Sequence, residues 1–328
     1  MKNTTIFELS KMLNLSPSTV SRALKNHPDI APETKKRVLE AAKQMDYEPN
    51  LQAVGLRKNN SNEIGIVVPN LSGFFYDAFI AAVEEEAKRH GYSLIIFLSG
   101  DSSELELQNI RSCKQRRVAG IMVCLTSSSE NETQFQKIQE SGMPILFFDK
   151  IPSLTEVTTI CVDDDASARM SAEQLIAKGK KSILAIFGDE RFSITRKRLE
   201  AFNEVFRSAG LSDQVNVVYA HSTEAARELL LMQPPNSYDA VFCMSDEILT
   251  GVMRGIQSRK LQVPEDIGVI AISNGFFPRL YYPEITFVET SGQKLGRLAF
   301  EQMKTMIDGD LTPVSHVVPA LLVEGGSL

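Results

Sequence analysis

From residue 63 the chain repeats one pattern: four or five consecutive apolar residues, then an amphipathic stretch of helical period. The apolar runs are 64–68, 93–97, 121–125, 145–148, 183–187, 215–219, 240–243 and 269–272, with helical stretches such as 79–89 and 105–116 between them. Strands that are apolar throughout, rather than at alternate positions, must be covered on both faces. That is the condition of a parallel sheet flanked by helices. Roughly nine such units are too many for one compact sheet, so two α/β lobes are expected. With 43% of its 328 residues hydrophobic, the chain has enough apolar side chain for cores of that size.

Sheets of this kind take ligands beyond the C-terminal ends of their strands, and two facing lobes enclose a cleft there. The residues that follow the runs are Pro69 and Asn70 (with Phe74, Phe75 and Tyr76 beyond), Asp101, Thr126 to Ser128 including Ser127, and Asp149 with Lys150. In the second half they are Gly188, Asp189, Ser245, Asp246, Ser273 and Asn274, with Phe276 beyond. Aromatic rings with carboxylates and hydroxyls suit a polyhydroxylated small molecule. The rings cover its apolar faces, and the polar groups exchange hydrogen bonds with its hydroxyls. Asp246 serves equally well as a helix N-cap, and Phe75 as core.

The first 60 residues have another character. They hold ten Lys and Arg against six Asp and Glu, a balance of +4; with a net charge of −6, the remainder carries −10. A basic head on an acidic body marks the head as the part that meets a polyanion. Thr4-Thr5 can cap a short helix with Ile6, Leu9 and Leu13 on one face. Ser16 is placed to cap a second, with Pro17 at its first position and Val20, Ala23 and Leu24 inward. A third helix over 33–45 turns Val38, Leu39 and Ala42 inward. With a three-residue break at 14–16, the first two make a helix-turn-helix. The second helix turns Ser18, Thr19, Ser21 and Arg22 outward. The Arg22 fork fits guanine O6 and N7, and the hydroxyls of Ser16, Thr19 and Ser21 suit phosphate oxygens. A three-helix protein-interaction bundle is the alternative.

Three runs carry a family resemblance: Ser16-Pro17-Ser18-Thr19-Val20-Ser21-Arg22-Ala23-Leu24, Pro32-Glu33-Thr34-Lys35-Lys36-Arg37-Val38, and Asp46-Tyr47-Glu48-Pro49-Asn50. They resemble the lactose/galactose repressor (LacI-type) family of bacterial transcription factors, and the similarity extends over essentially the whole chain. The resemblance implies base reading by Pro17, Ser18 and Arg22. The first two are small, so readout leans on Arg22. It extends the DNA-facing set to Thr5, Asn26, Thr34 and Tyr47 in the head and to Asn50, Ala53, Leu56 and Arg57 in the linker. Residues 51–58 can form only about two helical turns, unstable alone in water, and Gly55 costs roughly another 1 kcal/mol. The family's arrangement supplies the missing partner: two such segments of a homodimer fold together in the minor groove, Leu56 wedging between base pairs and Arg57 and Lys58 meeting phosphates. A passive linker whose Leu56 docks on its own core is the other reading.

For the body the resemblance implies the periplasmic-binding-protein fold: a helix-turn-helix at 1–48, a hinge and linker at 49–62, and an effector-binding and dimerisation core at 63–328. The N-lobe then takes about 63–161 and 289–317, and the C-lobe about 162–288 and 318–328. Effector contacts map onto Phe75, Tyr76, Asp149, Arg198, Ser245 and Ser273, with Arg196 beside Arg198 so that the pair can hold a phosphate. His221 stands where an aromatic is found in the family, and is read as solvated. The expected protein is a transcriptional regulator of repressor type, homodimeric on a pseudo-palindromic duplex operator and switched by a small-molecule effector, a sugar or sugar derivative.

Several classes fall away. There is no GxSxG, GxxxxGK[ST], HExxH or paired-cysteine motif, and His27, His90, His221 and His316 do not cluster, so neither enzyme chemistry nor a cofactor or metal is expected. Cys113, Cys124, Cys161 and Cys243 are far apart, three of them in apolar runs, as reduced and buried thiols would be. No apolar run approaches the roughly 18 residues that span a bilayer, and no hydrophobic stretch follows the start, which points to a cytoplasmic protein without membrane contact. The chain ends soon after 321–324, so a dimer is expected rather than a tetramer held by a C-terminal coiled coil. A sugar-binding receptor without gene regulation, and an architectural DNA-binding protein with a ligand-free body, are the competing functions.

Overall fold

The computed structural model of the chain describes residues 4–47, 61–71, 74–126 and 129–328. It divides into two units, residues 1–61 and 62–328.

The first unit packs three helices, α1 (Ile6–Leu13), α2 (Pro17–Leu24) and α3 (Pro32–Gln44), around Leu9, Val20, Ala23, Val38, Ala41 and Ala42. Each start has a local cause. Thr5 and Glu8 form a reciprocal capping box on α1; Ser16 caps α2 through the Thr19 amide, with Pro17 at the first position. Asn14 ends α1 in the left-handed region at φ 52°, where asparagine is tolerated. The α3 register differs from the sequence expectation. Leu39 is 55% exposed, and Ala41 takes the inward place beside Val38 and Ala42. At 100° per residue, 38, 41, 42 and 45 share a face and 39 leaves it.

The second unit holds two six-stranded sheets. One contains β1 (Glu63–Val68), β2 (Ser93–Leu98), β3 (Gly120–Val123), β4 (Ile145–Phe148), β5 (Thr158–Val162) and β11 (Ser315–Val318), in the order β11-β5-β4-β3-β1-β2 and all parallel. The other contains β6 (Ile183–Phe187), β7 (Val215–Tyr219), β8 (Ala240–Cys243), β9 (Gly268–Ser273), β10 (Thr286–Glu289) and β12 (Leu321–Val323), in the order β12-β10-β9-β8-β6-β7, with only β12 antiparallel. The chain passes between sheets three times: between β5 and the next helix, after β10, and between β11 and β12. Strands β5, β10, β11 and β12 had no counterpart among the eight apolar runs. They are short, and β5, β10 and β11 mix Thr, Ser, His or Glu with the apolar residues. Core strands β3, β4, β6, β8 and β9 are buried along their full length, whereas edge strand β2 leaves Leu98 51% exposed.

Helices cover both faces. In the first lobe these are α4 (Phe74–Arg89), α5 (Ser103–Arg116), α6 (Glu132–Glu140) and α11 (Gly292–Ile307); in the second, α7 (Asp164–Ala177), α8 (Ser193–Ser208), α9 (Thr223–Met232) and α10 (Asp246–Arg259). Phe79 of α4 stacks on Phe148 of β4, with ring centroids 3.9 Å apart. Two helix pairs meet backbone to backbone through glycine: α11 against α4 at Gly292 and Gly296, and α10 against α9 at Gly251. A Cβ at Gly296 would stand 2.5 Å from the Phe79 carbonyl oxygen and 2.9 Å from Ala82 Cβ. Gly296→Ala is therefore expected to lower unfolding free energy by roughly 1–3 kcal/mol, read as a reduced urea midpoint with unchanged slope. An unchanged midpoint would mean that α4 and α11 separate at no cost.

Candidate functional site

In the head, α2 turns Ser18 and Arg22 to solvent one turn apart, with Pro17, Thr19 and Ser21 half-buried rather than fully outward. Ser16 Oγ lies 2.8 Å from both Ser18 Oγ and Thr19 Oγ1, so the hydroxyls at the helix start hold one another in place. Thr5 spends its hydroxyl on the Glu8 carboxylate at 3.0 Å. Asn26, exposed at φ 54°, offers its carbonyl to Lys35 Nζ at 3.3 Å, while Thr34 is half-buried at the start of α3. Tyr47 packs on the head core, and burial raises its phenol pKa. Asn50, Ala53, Leu56 and Arg57 lie outside the described residues.

In the body, the C-terminal strand ends of the two sheets border a cleft of about 950 Å³. Its first wall comes from the segment after β1, the start of α4 and the end of β4. Tyr76 donates from its hydroxyl to Asp149 Oδ2 at 2.8 Å, and burial together with that carboxylate pushes the phenol pKa well up. Asp149 itself sits at φ 59°, a left-handed conformation that aspartate adopts more readily than most residues and that strains a side-chain-bearing backbone. Phe75 lines the cleft while packing on the core behind it, so both readings of that ring hold.

The second wall is built on α8. Arg198 is buried and held from two sides: Nε and Nη2 donate to Asp164 Oδ1 at 2.9 and 2.7 Å, and Nη1 donates to the Met244 carbonyl at 3.0 Å. These bonds occupy three of the five N–H groups of a guanidinium. Burial raises the Asp164 carboxyl pKa, and Arg198 opposes the shift. Ser245 caps α10 through the Ile248 amide at 3.4 Å. Asp246 is therefore not the cap. It is buried, accepting from Ser273 Oγ and from the Asn274 amide at 3.0 Å, and so fastens the end of β9 to the start of α10. Ser273 Oγ also accepts from the Gly275 amide at 2.9 Å.

The structure thus brings Phe75, Tyr76, Asp149, Arg198, Ser245, Asp246 and Ser273 to one cleft. Three others are not in its lining. Arg196 turns away and donates to the carbonyls of Glu190 and Arg191 at 3.1 and 2.7 Å, so the expected phosphate-holding pair with Arg198 is not assembled. Phe276 borders a neighbouring groove and meets Phe277 edge-on at 5.3 Å. Asp101 stands near enough to Arg191 for its charge to favour the protonated guanidinium. Ser127 lies outside the described residues. His221 borders the cleft but is 64% exposed, 3.8 Å from the Asp189 carboxylate.

Other cleft residues carried no sequence signal of their own. Thr195 precedes Arg198 by one helical turn, and Asp164, which holds Arg198 from behind the lining, stands in an Asp163-Asp164-Asp165 run that reads only as a helix start. Contacts between the walls also emerge only in three dimensions. Lys150 Nζ sits 3.9 Å above the Phe192 ring, Asn274 Nδ2 donates to the Phe74 carbonyl at 3.1 Å, and Asn274 Oδ1 accepts from the Gly292 amide at 2.9 Å. The cysteines are free, and burial pushes the Cys113, Cys124 and Cys161 thiols up to about 12, far from thiolate reactivity. No helix among the described residues is long and apolar enough to cross a membrane.

Comparison with known proteins gives two family matches: "Bacterial regulatory proteins, lacI family" over residues 5–50, and "Periplasmic binding proteins and sugar binding domain of LacI family" over residues 61–320. Catabolite control protein A of Priestia megaterium is 25% identical over 326 residues, covering 96% of this chain and 97% of that protein. The lac repressor dimer bound to operator and the anti-inducer ONPF superposes with a TM-score of 0.89 at 20% identity, covering 99% of each chain. A periplasmic binding protein/LacI transcriptional regulator from Alkaliphilus metalliredigens QYMF, complexed with D-xylulofuranose, is 27% identical with a TM-score of 0.69, covering 81% of this chain and 99% of that one.

The buried ion pair of the second wall generates a stability prediction. Arg198→Met leaves Asp164 buried without its partner and is expected to cost about 3–5 kcal/mol in urea unfolding, whereas Arg198→Met with Asp164→Leu recovers most of the loss. Equal losses in the single and double variants would mean that the cost does not come from an unpaired Asp164.

Proposed function

The chain belongs to the LacI family of DNA-binding transcriptional regulators, with a sugar-binding-type effector domain, and from that premise we propose how this member works. It is a homodimeric, cytoplasmic repressor without enzymatic activity. Each head lays α2 in a major groove, so the operator is a pseudo-palindrome. Arg22 reads a guanine, Ser18 assists it, and the hydroxyl cluster of Ser16 and Thr19 meets phosphate. Leu56 enters the minor groove between the half-sites.

The effector is an uncharged polyhydroxylated molecule held between the walls of the cleft. The observation that carries this reading is the pairing of Tyr76 and Asp149 on one wall with Arg198 and Asp164 on the other: each wall presents a polar group already fixed by a buried partner. The charge of the lining supports an uncharged ligand. Asp77, Asp149, Asp189, Asp246 and Glu247 outnumber Lys150, Arg191 and Arg198, and the charge of Arg198 is met by Asp164. The sugar bound by the Alkaliphilus relative fits this chemistry. Occupancy changes the angle between the lobes and thereby the separation of the two hinge segments of the dimer. The ligand acts only through its differential affinity for the two body states.

Selection of duplexes from a random pool by the full chain, followed by anisotropy titration, tests the DNA half. Arg22→Ala is expected to cost roughly 1–3 kcal/mol and to relax preference at one base pair of each half-site. Undiminished preference at every position would remove Arg22 from base reading.

A further inference from the structure

Thr195 is the third residue of α8, one turn before Arg198, so the two side chains share a face of that helix. Both line the cleft. The threonine is only 1% exposed, and its Oγ1 has no hydrogen-bond partner among the described residues. This is unusual, because buried hydroxyls nearly always find a partner and an unmatched one costs stability. The neighbouring polar groups are spoken for: Ser245 and Ser273 serve amides, and Arg198 is pinned by Asp164 and Met244.

The space before Thr195 exists because residue 188 lacks a side chain. A Cβ there would sit 3.5 Å from Thr195 Oγ1 and 3.6 Å from Met244 Cε, in ordinary contact with both. A methyl-sized gap beside Gly188 thus adjoins an enclosed, unmatched hydroxyl, flanked by a guanidinium with two N–H groups undirected among the described residues.

We propose that Thr195 is a specificity-determining residue of the effector cleft, its hydroxyl exchanging a hydrogen bond with an uncharged hydroxyl or carbonyl of the ligand that reaches past Gly188. This rests on the reading of the cleft as a small-molecule site. A charged oxygen is disfavoured at this place because the positive charge beside it is already compensated by Asp164. A hydroxyl or carbonyl needs only the one hydrogen bond that Thr195 has to give or accept.

The test uses the full chain, thermal melts and calorimetric titration with D-ribose, D-xylose, D-glucose, D-galactose and glucose 6-phosphate. Thr195→Val replaces an unmatched hydroxyl by a methyl of the same shape, so the melting temperature without sugar is expected to stay or rise. Affinity for a neutral sugar that binds the wild type is expected to fall roughly tenfold or more, with Thr195→Ser retaining it. Gly188→Ala is expected to weaken the same sugar without lowering the melting temperature. A fall of several degrees in Thr195→Val, restored in Thr195→Ser, would make the hydroxyl structural and overturn the proposal. So would unchanged sugar affinity in Thr195→Val, or preferential binding of glucose 6-phosphate. If the wild type binds none of the five, the small-molecule reading of the cleft falls and takes the proposal with it, an outcome distinguished by failure of the unsubstituted protein.

Discussion

Parallel pairing decides where this protein can have a site. A parallel strand cannot return by a tight turn; it needs a crossover, here most often a helix, and every strand but β12 therefore points the same way as its sheet. All the C-terminal ends of a sheet fall on one edge, and so do the loops that leave them. The body builds two such sheets and links them by three passes of chain, so the two loop-bearing edges border one cleft. No side chain chose that location; the side chains were free to vary once it was set.

What the side chains supply is rigidity in the right places. Tyr76 with Asp149, Arg198 with Asp164 and Met244, and Asp246 with Ser273 and Asn274 are polar groups satisfied by one another within the body. Such groups are costly to bury alone and tolerable when matched, so each holds its wall in one arrangement before any ligand arrives. Contacts across the cleft are of another kind: a lysine over an aromatic ring, and an asparagine amide touching main chain on the far side. The Phe74 and Phe277 rings, with centroids 3.9 Å apart, add an aromatic contact between the same walls.

The sequence made the strand-and-helix rhythm legible because continuous apolar runs have few other uses. Both lobes followed from it, as did fewer than half of the lining residues, those at strand ends that can be counted. The strands it hid were those with mixed polarity, such as Thr158–Val162 and Ser315–Val318, whose place depends on neighbours far along the chain. Leu39 was misplaced because one hydrophobic residue among several on α3 does not fix the helix phase; the packed alanines do. At the cleft, Arg198 was visible through the family resemblance, but its partner Asp164 lies 34 residues away and only tertiary structure joins them. Arg196 was drawn in by proximity in sequence, although two positions along a helix point in different directions. Thr195 is the counterpart: it gives no sequence signal, and only the three-dimensional structure shows its hydroxyl buried without a partner among the described residues.

The central claim is that the cleft and the DNA-binding head share one equilibrium. It is tested most directly by titrating a selected duplex with the full chain, in the absence and at saturation of a sugar shown calorimetrically to bind. Coupling of ordinary size would shift the duplex midpoint by about 5- to 150-fold, and by linkage the duplex would shift the sugar's affinity by the same factor. A sugar that fills the cleft and leaves the duplex midpoint unchanged would contradict it.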